Sequence, residues 1–138
     1  MQLYTIGYGG RYPTDFIHAL VEHEVRAVVD VRLRPDRAAM GVYVKAKKPE
    51  KGIVNLLNQH NIAYYSILEL GNVFLTYSDW AERYQRLLDQ SGDLLTAPLQ
   101  NFLEPFCLLC AERRVEQCHR KQIGDYLARK GWSVQHIE

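Results

Sequence analysis

Residues 27–32 read Ala27-Val28-Val29-Asp30-Val31-Arg32. Four of the first five are apolar, with none of the alternation of a half-exposed strand, which is the pattern of a strand covered on both faces. The run then breaks into the basic segment Arg32-Leu33-Arg34-Pro35-Asp36-Arg37. A second run of the same kind, Phe106-Cys107-Leu108-Leu109-Cys110-Ala111, lies near the other end of the chain. Strands of this type belong to parallel sheets sandwiched between helices.

Strand and helix patterns alternate outward from these runs. Leu3-Tyr4-Thr5-Ile6 is a first strand that ends in the permissive turn Gly7-Tyr8-Gly9-Gly10. Thr14 is expected to cap a helix whose apolar positions Phe16, Ile17, Leu20 and Val21 recur at helical spacing. From Asp36 to Lys48 no periodicity is visible, so a loop is expected there, open to service as a lid. Pro49 suits the first turn of a helix carrying Ile53, Val54, Leu56 and Leu57, ending at Asn61, and the strand Ala63–Leu68 follows. Thr76 with Asp79 resembles a capping pair for a helix with Trp80, Tyr84, Leu87 and Leu88 on one face. Pro98 opens a short helix, Cys118–Lys130 forms the last one and closes at Gly131, and Ser133–Ile137 is the final strand. The expectation is a single α/β domain over residues 1–138, three layers deep, with a mostly parallel, doubly wound sheet of about five strands.

Composition narrows the class of protein without choosing a function. A chain of 138 residues, 47% apolar and 24% charged, matches an ordinary globular domain. A net charge of +1 gives no long-range pull toward nucleic acid or anionic membrane. No apolar run is long enough to span a bilayer, and the start lacks the basic and apolar blocks of a secretory signal, so a cytoplasmic location without a membrane partner is expected. Three cysteines, Cys107, Cys110 and Cys118, are a poor framework for disulfides and are expected as thiols.

Open parallel sheets bind ligands outside the carboxyl ends of their strands. The first strand ends at Gly7 and Tyr8, the second at Asp30 and Arg32, the third at Glu69, and the fourth at Cys110 and Glu112. Asp30 and Arg32 share one face, where they either pair with each other or bind across the edge. Glu112 directly follows an apolar strand, a place where a carboxyl can serve as acid or base, or else pair with Arg113, Arg114 or Arg120. Cys118, His119 and Arg120 open a helix, whose free N–H groups favour an anion or a thiolate. Cys107 and Cys110, three apart in one strand, point to opposite faces and cannot chelate one ion, so no metal site is expected from that pair. The glycines at 7, 9 and 10 match neither a dinucleotide fingerprint nor a phosphate-binding loop, so they are read as a permissive turn and leave the cofactor unknown.

The motifs Thr5-Ile6-Gly7, Val29-Asp30-Val31-Arg32, Glu69-Leu70-Gly71, Leu108-Leu109-Cys110-Ala111-Glu112, Cys118-His119-Arg120 and His136-Ile137 occur in that order along the whole chain. In order and spacing the chain resembles the bacterial and archaeal family numbered 488 among the domains of unknown function. Gly7-Tyr8-Gly9 stands where many members carry glycine, histidine and serine, and Asn72 stands where a second glycine is usual. The resemblance implies the fold and the site and leaves the reaction open.

Two functions of different class remain. One is an enzyme acting on a phosphate-bearing ligand such as a nucleotide or nucleic acid. In it Glu112, Cys118 and His119 are catalytic, with Glu112 or His119 transferring a proton and Cys118 the nucleophile of a covalent route. Gly7, Tyr8, Asp30, Arg32, Glu69 and Arg120 then bind the ligand, Arg32 and Arg120 holding its anion. The other is a non-catalytic module that holds an anionic small molecule or a nucleic-acid backbone on the same edge. A phosphatase-like or sulfur-transfer route ranks below both, because Arg120 lies only two residues after Cys118.

Overall fold

The computed structural model, which describes residues 1–138, builds one sheet from Gln2–Gly7 (β1), Ala27–Asp30 (β2), Ala63–Ser66 (β3), Phe106–Cys110 (β4) and Ser133–Ile137 (β5). All neighbours are parallel, in the order β3-β2-β4-β1-β5. β2 and β4, the two continuous apolar runs, lie inside the sheet and every residue in them is buried. β3 and β5 form the edges and keep exposed positions. The expected doubly wound α/β architecture is the one observed.

Four helices complete the layers: Pro13–Glu22 (α1), Gly52–Asn58 (α2), Trp80–Thr96 (α3) and Arg120–Arg129 (α4). The strand alternation sends Ile6, Val28, Cys107 and Leu109 to one face, where they meet Phe16 and Leu20 of α1 and Ile53 and Leu57 of α2. Leu3, Val29, Leu108 and Cys110 go to the other face and meet Tyr84 and Leu88 of α3 and Ile123 and Leu127 of α4. The crossovers from β1 through β3 therefore run over one face, and those from β3 through β5 over the other. The chain leaves the adjacent strands β2 and β4 toward opposite sides, which opens a crevice at their carboxyl ends.

Helix starts differ from the sequence reading. Thr14 does not cap α1: Tyr12 holds the cap position without a side-chain bond, because Pro13, with its fixed φ, already begins the helix. Pro49 lies outside α2, which begins at Gly52 with φ +67°, a left-handed conformation suited to glycine. A Cβ at Gly52 would also collide with the carbonyl oxygen of Val44. Thr76 does not cap α3 and Asp79 does not lie inside it: the helix begins at Trp80, Asp79 takes the cap position, and its carboxylate accepts Arg83 Nε at 2.7 Å in place of a backbone N–H. The final helix begins at Arg120, after a 3-10 turn at Val115–Gln117, and not at Cys118.

The loop of residues 36–48 is pinned in its middle by a side chain that periodicity does not reveal. Tyr43 is fully buried, stacks on Tyr8 with centroids 4.7 Å apart, and donates its hydroxyl to the Arg11 carbonyl at 2.7 Å. Burial pushes its phenol pKa up to about 12. A free lid is therefore not what the segment forms. No helix is long and apolar enough to cross a membrane.

Leu108 lies fully buried in β4 between α3 and α4. Leu108→Ala should destabilise the protein by about 2–5 kcal/mol through lost burial and a residual cavity. The measurement is a shift of the urea unfolding midpoint at unchanged slope; a midpoint equal to the parent's would mean that β4 does not carry the core.

Candidate functional site

A cavity of about 230 Å³ opens over the ends of β2 and β4. Tyr8, Arg32, Glu112 and His119 line it, and so does Cys110. These residues come from after β1, after β2, after β4 and from the cap of α4, so four separate segments meet at one place.

Its wall rests on Asp30. That carboxylate is completely buried and receives Arg32 N at 3.1 Å, Arg32 Nε at 2.9 Å, Arg32 Nη2 at 2.7 Å and the Tyr64 hydroxyl at 2.6 Å. Four donors, two of them from one guanidinium, compensate the desolvation of the charge. Burial works against the charge of Arg32, but the Asp30 bonds outweigh it and hold its pKa above the ordinary value. Burial, followed by the neighbouring Asp30 charge, raises the Tyr64 phenol well above its usual range. Arg32 Nη1 is left buried without a partner, beneath a cation–π contact of 5.3 Å with the Tyr8 ring.

Two glycines bring the loops this close. A Cβ on Gly7 would overlap the carbonyl of Glu112, and one on Gly71 would lie 2.7 Å from Leu33 Cα. Gly7 therefore lets the segment after β4 fold over β1, and Gly71 seats the Arg32–Arg37 segment. The Glu69-Leu70-Gly71 motif contributes packing, since Leu70 O accepts the buried Tyr84 hydroxyl at 2.6 Å, while Glu69 itself stays exposed outside the cavity.

His119 is buried, and its Nε2 donates to Val31 O at 2.9 Å, leaving Nδ1 toward Cys118 Sγ at 3.7 Å. Burial lowers its pKa to about 4, against the raising effect of the backbone bonds. Arg120 is wholly buried and turned away from the cavity, with Nη1 on Thr5 Oγ1 at 3.4 Å and Nη2 on Arg113 O at 2.8 Å. No carboxylate pairs with it, its Nε has no partner, and burial lowers its pKa. Glu112 makes none of the ion pairs with Arg113, Arg114 or Arg120 that its position in the sequence suggested.

The cysteines require a correction. Three independent thiols were expected, whereas the strand end and the turn before α4 bring Cys110 and Cys118 into disulfide contact, and only Cys107 is free. Disulfide-bonded Cys118 presents no thiolate. Cys107 lies in the core on the opposite face from Cys110, as their spacing in the strand predicted.

Other residues of the cavity were not singled out from the sequence. Arg34 and Arg37 project into it from the basic segment, and Asn72 and Gln117 complete its polar rim. Arg34 pairs with Asp36 at 3.2 Å in an exposed and therefore weak bridge. Arg37 has no ion-pair partner. The basic segment is a visible signal for the two arginines; Asn72 stands out only as a departure from the usual second glycine, and Gln117 only by its place before Cys118.

The chain is thus a doubly wound parallel α/β protein with a basic, glutamate-bearing cavity at the carboxyl edge of its sheet. It belongs to the family described as domain of unknown function DUF488, whose model matches residues 13–127. It matches no curated protein and no solved structure.

Acid should expose the burial of His119. Between about pH 6.5 and pH 4 the unfolded chain binds a proton at this residue that the folded chain refuses, so stability falls as pH is lowered through that window. His119→Gln, which retains a donor toward Val31, should flatten this part of the unfolding-versus-pH curve. Parallel curves for the two proteins would show that His119 titrates normally in the fold.

Proposed function

We propose that the cavity binds a phosphate-bearing ligand, a nucleotide or a phosphate of a nucleic acid, and that Glu112 transfers a proton to or from it. The observation that carries the reading is the Arg32 guanidinium: its side chain lines the cavity, is 5% exposed and held rigid by Asp30, and keeps a buried Nη1 without a partner. A buried unpaired donor of a charged group costs free energy that a ligand oxygen would recover. Arg37, free of any carboxylate, and Arg34 supply further donors at the mouth, in the planar geometry suited to phosphate.

Glu112 is the carboxylate that lines the same cavity, half-buried and without an ion pair. His119 is placed for orientation more than for proton transfer, since one ring nitrogen is committed to Val31. Arg120, turned inward, supports the α4 start and does not hold the anion in this reading. The commitment of His119, Arg120 and Asp30 to internal bonds also favours a second reading, a binding module that leaves its ligand unchanged.

Thermal unfolding with nucleoside mono-, di- and triphosphates and short oligonucleotides tests the first statement, because a ligand of the folded form raises the melting temperature. Arg37→Ala should weaken the binding found by about tenfold, with a shallower dependence on salt. Glu112→Gln should keep binding and abolish turnover. If no phosphate compound shifts the transition, the phosphate assignment fails; if turnover survives in Glu112→Gln, the proton-transfer role fails.

A further inference from the structure

One cluster at the floor of the cavity is left over by the phosphate reading. The sulfurs of Cys110 and Cys118 and a carboxylate oxygen of Glu112 all lie within 4.8 Å of one another. Both cysteines are buried and Glu112 is half-buried at the cavity wall. We propose that, with its thiols reduced, this cluster binds a zinc ion through Cys110, Cys118 and Glu112, the fourth position being left to solvent from the cavity.

The backbone geometry favours an ion between the sulfurs. The Cα atoms of Cys110 and Cys118 stand 7.2 Å apart, beyond the span of about 4.4–6.8 Å usual for a disulfide. A tetrahedral zinc with bonds of about 2.3 Å holds two sulfurs roughly 3.8 Å apart, which suits the wider backbone. His119 Nδ1, 3.7 Å from Cys118 Sγ, stays outside the cluster, and the Nε2 bond to Val31 O holds the ring beside it.

The surroundings suit the charge. Arg120 N points at Cys118 Sγ at 3.5 Å, a bond that stabilises a thiolate at the start of α4. Two thiolates, a carboxylate and a divalent ion sum to one negative charge, placed at the start of α4, where the free backbone N–H groups favour it. Mixed thiolate and carboxylate donors select zinc over magnesium or calcium. Loading releases the two thiol protons to solvent and changes no oxidation state. Zinc held by Glu112 leaves the arginines of the cavity untouched, so the site stands independently of phosphate binding there; while the ion is bound, Glu112 is a ligand and not the proton-transferring group.

The test uses the whole wild-type chain, reduced with a phosphine and freed of metal by a chelator that is then removed. Titration with zinc chloride alone should load one ion per chain, raise the melting temperature, and protect Cys110 and Cys118 from alkylation. Cobalt(II) in its place should give a thiolate-to-metal charge-transfer absorption. Cys110→Ser and Cys118→Ser should lose these signatures, Glu112→Gln should weaken binding, and Cys107→Ser should retain it. The proposal is overturned if the reduced wild-type protein takes up no zinc, or if saturating zinc leaves the alkylation of both cysteines unchanged. The alkylation measurement needs no variant to fold. Phosphate compounds that shift the melting temperature while zinc does not would sink this site alone.

Discussion

The Asp30–Arg32 pair is the constraint on which the cavity depends. A carboxylate with no exposed surface at the end of a central strand is tolerable only because Arg32 and Tyr64 together give it four hydrogen bonds. The pair turns the chain sharply out of β2, so that Leu33 packs against Gly71 and the basic segment faces the end of β4. Were the guanidinium released, both the wall of the cavity and its orphaned donor would go with it.

Around that pair the site is made of contacts between segments far apart in the chain. His119 reaches Val31, Tyr64 reaches Asp30, Gly7 admits Glu112 and Tyr43 supports Tyr8 from beneath. Each contact consumes hydrogen-bonding capacity, so the charged groups left to the cavity are few: Arg34, Arg37 and Glu112, with Arg32 in its wall and the sulfur pair below them. Such a small set of converging polar groups over an apolar floor is the ordinary make-up of a ligand site.

The sheet was legible in the sequence because burial on both faces leaves a direct signature: residues 27–31 and 106–111 cannot alternate without exposing one layer of helices. The strand ends also marked where the polar residues gather. What stayed hidden was which polar atoms remain free once the strands pair. Arg120 and His119 looked alike as neighbours at a helix start, yet one is spent on Thr5 and Arg113 and the other on Val31, partners that only the sheet order brings near. Tyr43 was hidden for a related reason, since a single anchoring aromatic in a loop has no period. The approach of Cys110 to Cys118 depends on the turn between β4 and α4, which spacing alone does not specify.

A double-mutant cycle on Asp30 and Arg32 addresses the central interaction most directly. Asp30→Asn and Arg32→Met, each alone, should cost about 3–5 kcal/mol of unfolding free energy, because each strands a buried charge or donor. The double variant should cost much less than the sum of the two, giving a coupling of at least about 1–3 kcal/mol. Additive losses with no coupling would contradict the account, for they would mean that the pair does not hold the carboxyl edge of the sheet together.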